Sequence, residues 1–313
     1  MKISPVADII LKSVSAIPRK IRRNISKGMF RLFYYLSPRQ RFITIHNLKS
    51  AFPEKSINEI KNIARGSYTT LAITVADFFD IPSLTKDNIG NLVEIEGLEY
   101  YTKALEKNRG ILLLGAHFSN WELTAAAISL VLRPAVITYR PLDSPTLDNL
   151  VLWVRSCTGN VLIDKERAMR KMLRSLEDNE IVATMIDQNM AWQEGVFVDF
   201  FGRPTCTTNG LALLALHTGA PVLPGYLLRL ENGKYKMVIK EEIVVIRTGD
   251  KDADILINTQ NFSRFIEDTV RKYPDQWFWM HQRWKTKPWQ AEEKHTEKVS
   301  PINESQNLNT HPV

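Results

Sequence analysis

Short apolar runs alternate with helical patterns from residue 93 onward, and this alternation constrains the fold more than any other feature of the chain. The apolar runs at residues 111–114, 135–139, 161–163 and 181–186 predict buried strands. Helical patterns lie between them, near residues 121–132, 145–157 and 166–178. Strands and helices that alternate in this way form a largely parallel sheet covered on both faces. We therefore predict an α/β fold with a mostly parallel central sheet flanked by helices.

The flanking regions predict further elements. Upstream, helices are expected at about 38–50 and 56–79, the second beginning with a capping box made by Ser56 and Glu59. Downstream, a Thr-rich segment after a Gly-Arg-Pro turn reads as the cap of a helix. A strand at 221–230 then forms a hairpin through Asn232-Gly233, and a helix follows at about 254–272. No run of eighteen apolar residues occurs, so a membrane-spanning helix is not expected.

The positive charge is concentrated at the N-terminus. The chain has a net charge of +7, but residues 1–41 hold ten basic side chains and one acid, so the remainder carries −2. Apolar residues in this segment recur at helical intervals, first from Val6 to Ile17 and then from Ile21 to Leu36. A basic amphipathic helical segment of this kind suits an anionic bilayer surface. We therefore predict three parts: membrane-associating helices at 1–41, one domain at 42–289 and a disordered tail at 290–313.

Other interpretations of the N-terminal segment remain open at this stage. The same pattern is also typical of a solvated face over a domain core. Nucleic acid is a weaker alternative, because the segment has no aromatic platform and no known recognition module. Two cysteines, Cys157 and Cys206, are too few for a disulfide framework or a four-ligand zinc site.

The stretch GAHFSNWE contains the strongest candidate for chemistry. His117 follows the predicted strand at 111–114, and ligands bind beyond the carboxyl ends of strands in α/β sheets. In one interpretation His117 is a general base and Glu122 is the carboxylate that orients it. In the other, Ser119 and Glu122 form a capping box and His117 is an incidental loop residue. The pair functions only if His117 precedes the helix and folds back over its first turn.

Several ordered motifs resemble one family. GAHFSNWE is similar to the H-x-x-x-x-D/E signature of glycerolipid-type acyltransferases. The surrounding segments HNLKSAFPEKSINEI, YRPLDSPTLDNLVLWVRSCTGN, the long segment beginning DQNMAWQEGVFVDFFGRP, and YPDQWFWMHQRWK resemble the bacterial lipid A late acyltransferases. The resemblance covers about residues 40–287. Many members begin with a continuous apolar anchor, whereas Lys12 and the prolines interrupt that run here.

The resemblance implies roles for five residues, and a position directly after the predicted strand at 135–139 adds Arg140 as a sixth candidate. His117 would be the general base and Glu122 its partner. Arg155 matches a family arginine that contacts the acceptor or the developing oxyanion, although a surface arginine over apolar neighbours is the alternative. Asp187 and Gln188 match a motif near the site, where Asp187 would orient Arg155 or the acceptor or make a structural hydrogen bond. Arg140 is a second candidate for phosphate contact.

The implied function is transfer of a fatty acyl chain to a hydroxyl of a lipid A precursor, without a covalent intermediate. The donor would be acyl carrier protein or coenzyme A carrying the acyl thioester, with no metal and no other cofactor. The expected partners are the membrane surface, the lipid A precursor and acyl carrier protein, and the expected location is the cytoplasmic face of a bacterial inner membrane, held peripherally or monotopically. The alternatives are an acyltransferase for another glycolipid or phospholipid and a non-catalytic lipid-binding protein of the membrane surface.

Overall fold

The computed structural model describes residues 2–164 and 168–290. Its helices are α1 (Pro5–Ser15), α2 (Arg19–Leu36), α3 (Pro38–Ala51), α4 (Ile57–Phe78), α5 (Leu98–Leu105), α6 (Trp121–Ala127), α7 (Pro145–Ser156), α8 (Ala168–Glu177), α9 (Gly210–Thr218) and α10 (Lys251–Lys272). Its strands are β1 (Val93–Glu96), β2 (Ile111–Gly115), β3 (Ala135–Tyr139), β4 (Val161–Asp164), β5 (Ile181–Met185), β6 (Gly195–Asp199), β7 (Pro204–Thr208), β8 (Val222–Arg229) and β9 (Tyr235–Ile239).

Seven of these strands form one sheet in the order β1-β9-β8-β2-β5-β3-β4. All of its neighbouring pairs are parallel except β8 and β9, which form the antiparallel hairpin. The predicted α/β class with a mostly parallel sheet is confirmed. β6 and β7 form a separate antiparallel ladder beside it. The consequence for function is that β2 and β5 are neighbours, so the segments that follow them meet at one edge of the sheet.

The two faces of the sheet are covered by different helices. Side chains alternate along β2, so Leu112 and Leu114 join a core cluster with α4, α9 and α10, whereas Ile111 and Leu113 join a second cluster with α5 and α6. All four side chains are buried, and burial of each contributes about 1.5–3 kcal/mol. The apolar run of the sequence is therefore continuous because both faces of the strand are covered.

Two local predictions differ from the structure. The Thr-rich segment is strand β7 rather than a helix cap, since its β-branched residues pair with β6 from Gly195↔Thr208 to Asp199↔Pro204. The helix expected near 121–132 is α6, which ends at Ala127 and continues into one wider π-helical turn at Ile128–Leu132. The capping box of Ser56 and Glu59 at the start of α4 is present as predicted.

The N-terminal helices pack against the rest of the chain through only part of their surface. α1 contacts α7, and α2 lies along α4. α2 buries Arg22, Ser26 and Tyr34 and packs the half-buried Phe30 against the core, whereas most of its apolar residues are exposed. Apart from tyrosine, eight large apolar side chains of α1, α2 and the start of α3 are at least half exposed: Val6, Ile9, Ile21, Ile25, Met29, Leu32, Leu36 and Phe42. We call these eight residues the apolar stripe. The predicted tail at 290–313 lies outside the described residues from 291 onward.

A buried charge network joins α2 to α4 and to the sheet. Asp77 of α4 accepts hydrogen bonds from Arg19 and Arg23 of α2 and from the hydroxyl of Tyr235 at 2.8 Å. Burial alone would raise the pKa of Asp77, but hydrogen bonds and charge from Arg23 and Arg19 outweigh it and hold that pKa below its usual value. Asn120 donates to the same Tyr235 hydroxyl at 3.3 Å. The network thus reaches the loop that carries His117.

Candidate active site

The loop after β2 places His117 at the carboxyl edge of the sheet. Ser119, two residues later, has a φ of +51°, a left-handed conformation that costs a non-glycine residue about 1–2 kcal/mol. Its carbonyl accepts a hydrogen bond from Thr74 of α4, and its N–H donates to the carbonyl of Gln276. The carbonyl of His117 accepts from the N–H of Phe278 at 3.1 Å. These contacts hold the loop from both sides and fix the position of the imidazole.

Asp187 is the carboxylate that contacts His117. Its Oδ1 lies 2.9 Å from Nδ1 of the ring, and its Oδ2 accepts the backbone N–H of His117 at 2.9 Å and the indole N–H of Trp277 at 2.8 Å. Because a carboxylate only accepts, Nδ1 carries the proton and Nε2 is the free base. Burial would raise the pKa of Asp187, but the charge and hydrogen bonds of His117 and the bond from Trp277 lower it to about 2. Asp187 is therefore ionised at neutral pH.

The register of the sheet explains this contact. β2 and β5 are parallel neighbours with Gly115 opposite Met185. His117 and Asp187 each follow those residues by two positions, so they leave the sheet side by side. The predicted contact between Asp187 and Arg155 is not the one observed.

Glu122 pairs with Arg155, so the expectation that it orients His117 is wrong. Its two carboxylate oxygens accept Nε of Arg155 at 2.8 Å and Nη2 at 2.6 Å, a bidentate pair, and Oε1 also accepts the indole N–H of Trp121 at 3.0 Å. The physical reason is that Glu122 lies in the first turn of α6 and faces the end of α7, where Arg155 is placed, while both ring nitrogens of His117 have other neighbours.

The capping-box alternative is also wrong, because the helix cap is Asn120 rather than Ser119. The side chain of Asn120 accepts the N–H of Leu123 at 3.0 Å. The Ser119 hydroxyl has no hydrogen-bond partner in the described residues. Ser119 instead supplies the left-handed bend that precedes the helix, and the S-x-x-E spacing in the sequence does not correspond to a cap.

Arg155 is held by the Glu122 carboxylate in a mostly buried position. Burial lowers the pKa of Arg155, but the hydrogen bond and charge of Glu122 outweigh this effect and raise the pKa above its ordinary value. About a quarter of the side chain, 26 %, remains exposed. Because Glu122 uses Nε and Nη2, Nη1 is left to contact another group. Arg155 is thus a cation held in place by Glu122, with its Nη1 group turned away from that carboxylate.

Gln188 contacts the second ring nitrogen of His117. Its Nε2 is 3.2 Å from Nε2 of His117, so the amide donates to the free lone pair of the ring. Gln188 is exposed, and 17 % of the His117 side chain is exposed. The basic nitrogen therefore faces the exposed amide of Gln188.

A segment near the end of the described chain supports the loop that carries Asp187 and Gln188. The buried guanidinium of Arg283 donates to the carbonyl of Gln188 at 2.7 Å. The N–H of Asn189 donates to Nε2 of His281 at 2.7 Å. Burial lowers the pKa of His281 to about 4, so this histidine is a neutral acceptor at neutral pH. No signal in a single sequence identified these supporting residues, because their partners lie more than ninety positions away.

Aromatic side chains surround the site with different burial. The rings of Trp121 and Phe278 flank His117, with centroids 5.5 and 6.4 Å from the imidazole. Trp277, Trp279 and Trp284 are buried core residues. Arg140 is exposed at the end of β3, beyond β5 in the sheet.

No group of three or more His, Cys, Asp or Glu that could hold a metal ion occurs within residues 2–164 and 168–290. The same ranges contain no helix that is long and apolar enough to cross a bilayer. The site brings together the imidazole of His117, the carboxylates of Asp187 and Glu122, the amide of Gln188 and the guanidinium of Arg155.

Comparison with known proteins identifies relatives along most of the chain. Residues 6–286 match the model of the family described as bacterial lipid A biosynthesis acyltransferase. The chain is 25% identical over 281 residues to the lipid A biosynthesis lauroyltransferase of Escherichia coli K12, which covers 89% of this chain and 90% of that protein. It is 29% identical over 284 residues to a lipid A biosynthesis acyltransferase of Haemophilus influenzae, covering 89% of each. A phosphatidylinositol mannoside acyltransferase of Mycolicibacterium smegmatis is 22% identical over 71% of this chain and 72% of its own length.

Proposed function

The chain belongs to the bacterial lipid A biosynthesis acyltransferases, and from this premise and the geometry of the site we propose that it transfers a fatty acyl chain from a thioester to a hydroxyl of a lipid A precursor. The thioester is carried by acyl carrier protein or coenzyme A. The observation that carries the proposal is the pair of His117 and Asp187, which leaves the Nε2 lone pair of the imidazole as the base, facing the exposed Gln188 side chain.

The reaction begins with proton transfer to His117. The acceptor hydroxyl takes the place of the Gln188 amide and donates its proton to Nε2, while its oxygen attacks the thioester carbonyl. The ionised Asp187 stabilises the imidazolium that forms. When the tetrahedral intermediate collapses, the carbon–sulfur bond breaks and the imidazolium returns its proton to the leaving thiolate. The products are an ester and a free thiol, and no covalent enzyme intermediate is formed.

Arg155 supplies the fixed positive charge of this mechanism. A guanidinium whose Nε and Nη2 are bound to Glu122 cannot turn freely, so Nη1 addresses one position. We assign that position to a phosphate or oxyanion of the reacting lipid, for which charge-assisted hydrogen bonds are strong. The role of Glu122 is then to position Arg155. Arg140, exposed at the next strand end, is assigned to a second phosphate contact.

The apolar stripe supports attachment to a membrane surface. Its residues on α2 recur at Ile21, Ile25, Met29, Leu32 and Leu36, next to exposed Lys20, Lys27 and Arg31. Apolar side chains that face outward beside cations suit the boundary of an anionic bilayer, where each cation contributes about 1 kcal/mol. We propose that α1 and α2 lie in the interface of the inner membrane at its cytoplasmic face.

Vesicle sedimentation tests this attachment. The double variant Met29→Glu, Leu32→Glu should lose most binding to anionic vesicles, since both side chains are more than half exposed and the changes leave the core intact. Leu256→Glu, at an exposed position on α10, is the matched control and should bind like the wild type. Equal binding of all three proteins would show that the apolar stripe does not mediate attachment to the vesicles.

The catalytic proposal is tested with purified protein, an acyl carrier protein thioester and an underacylated lipid A precursor. We expect transfer by the wild type, a loss of about 10²–10⁴-fold in the His117→Ala variant, and no loss in His46→Ala, which removes an exposed histidine of α3. Turnover by His117→Ala at the wild-type rate would overturn the mechanism.

A second acceptor class is favoured by one observation, the similarity to a phosphatidylinositol mannoside acyltransferase. The chemistry would be the same and the acceptor glycolipid would differ. Mass spectrometry of the lipids of a deletion strain separates the two, because loss of one secondary acyl chain from lipid A supports the first proposal. Binding of vesicles without consumption of any offered thioester would instead indicate a lipid-binding protein without activity.

A further inference from the structure

A solvent-open surface cavity of about 630 Å³, whose basic side chains Lys107, Arg109 and Arg247 are all exposed, lies at the end of the sheet opposite to His117. Its lining includes Arg109, two residues before β2, and Gly219 with Ala220, just before β8. His117 follows the carboxyl end of the same strand β2, so the length of that strand separates the cavity from the candidate active site. The volume is in the range of small-molecule sites, about 300–1,000 Å³.

The lining of this cavity is basic. It includes three permanent cations, Lys107, Arg109 and Arg247, the imidazole of His217 and a single carboxylate, Glu242. That carboxylate is bound to Lys107 at 2.6 Å, so it is already paired within the lining. Within the described ranges neither Arg109 nor Arg247 forms an ion pair of 4.0 Å or less. Arg247 does interact electrostatically with Asp254, whose pKa is lowered mainly by the backbone N–H of Thr248 and to a smaller extent by the charge of Arg247.

The backbone around Arg109 is shaped to admit its guanidinium. Gly219 has a φ of +68°, and a Cβ at that position would lie 2.6 Å from Nη1 of Arg109. Glycine therefore serves both the left-handed end of α9 and the close approach of the arginine. Arg247 donates from Nη2 to the carbonyl of Ala215 at 3.2 Å, which fixes one edge of its guanidinium.

The end of α9 explains only part of this charge. A helix carboxyl terminus carries roughly half a negative charge, which one cation balances. The cavity has three cations against one carboxylate, so an excess of positive charge remains after the helix end is counted. Val244, which is 73% exposed, and the half-buried Val245 add an apolar section to the rim.

We propose that this cavity binds a phosphate-bearing small molecule at a site separate from the catalytic centre. Guanidinium groups bind phosphate oxygens through paired hydrogen bonds, which suits Arg109 and Arg247. The apolar section of the rim receives the non-phosphate part of the molecule. The site does not depend on the acyl-transfer proposal, because none of its residues contacts His117, Asp187 or Arg155.

Calorimetric titration with pyrophosphate at low ionic strength tests the proposal. We expect saturable binding to the wild-type protein and a weakening of about tenfold or more in Arg109→Ala and in Arg247→Ala, since each removes a charge-assisted hydrogen bond. Arg65→Ala removes an exposed arginine of α4 that does not line the cavity, and should bind like the wild type. Thermal melts confirm that each variant is folded.

Three outcomes overturn the proposal: no heat of binding, unchanged affinity in both cavity variants, or affinity lost in Arg155→Ala instead. The last result would place the pyrophosphate in the candidate active site. His117→Ala should bind pyrophosphate as the wild type does. Because acyl transfer is measured separately, failure of this site and failure of the proposed function give different results.

Discussion

Replacement of Asp187 by Asn tests which carboxylate controls His117. In the wild type, Oδ2 accepts two N–H groups, from the His117 backbone and the Trp277 indole, and Oδ1 faces Nδ1 of the ring. The side-chain oxygen of Asn can take the place of Oδ2, where the two N–H donors require an acceptor. Its NH₂ group must then face Nδ1, which becomes an acceptor, and the ring proton moves to Nε2. The variant keeps the geometry and loses the base.

The size of the expected effect follows from that change of tautomer. A general base contributes about 10²–10⁴-fold, so Asp187→Asn should lower kcat by about 10³-fold, equivalent to about 4 kcal/mol of barrier. The hydrogen bonds to Trp277 and the loop are retained, so the free energy of unfolding should change by less than about 2 kcal/mol.

The assay is single-turnover acyl transfer, accompanied by thermal melts. Asp178→Asn, at an exposed position after α8, is the matched control and should keep wild-type activity. An Asp187→Asn protein that is folded and retains more than a tenth of wild-type turnover would refute the reasoning.

Three further changes test the supporting residues. Glu122→Gln weakens the two hydrogen bonds that hold Arg155, so kcat/KM should fall by about 10–100-fold, a smaller loss than for Asp187→Asn. A loss equal to that of Asp187→Asn would indicate that Glu122 is the partner of the base. Asp77→Ala leaves Arg23 without its buried carboxylate and should lower the free energy of unfolding by about 3 kcal/mol in urea titrations; a change below 1 kcal/mol would make the network energetically minor. His281→Gln should remove part of the pH dependence of stability. In the wild type the pKa of His281 is about 4 in the folded chain and about 6.5 in the unfolded chain, so the unfolded chain binds the proton first as pH falls. The wild type should therefore lose about 3 kcal/mol of folding free energy between these two pH values. Equal slopes of stability against pH in the two proteins would contradict this.

The fold class could be predicted from the sequence because burial on both faces of β2 and β5 leaves a visible apolar run. The position of His117 at a strand end followed from the same pattern. The segment 204–208 was harder, since threonine is common both in caps and in strands, and only its pairing with β6 decides between them.

The partner of His117 could not be predicted from spacing along the chain. Glu122 is five positions away and Asp187 is seventy, yet the second one is the contact. Strand order decides this, because β5 lies beside β2 although β3 and β4 come between them in the sequence. An α/β pattern shows which residues end strands but not which strands are neighbours, and a single sequence contains no direct record of that order.

The protonation of the His117 ring is the most direct test of the central claim. In protein labelled with ¹⁵N at histidine, with His117→Ala used for assignment, NMR at neutral to mildly alkaline pH distinguishes the two ring nitrogens. The account predicts that the neutral ring carries its proton on Nδ1, facing Asp187, and that Nε2 is unprotonated. A neutral ring with the proton on Nε2 would contradict it.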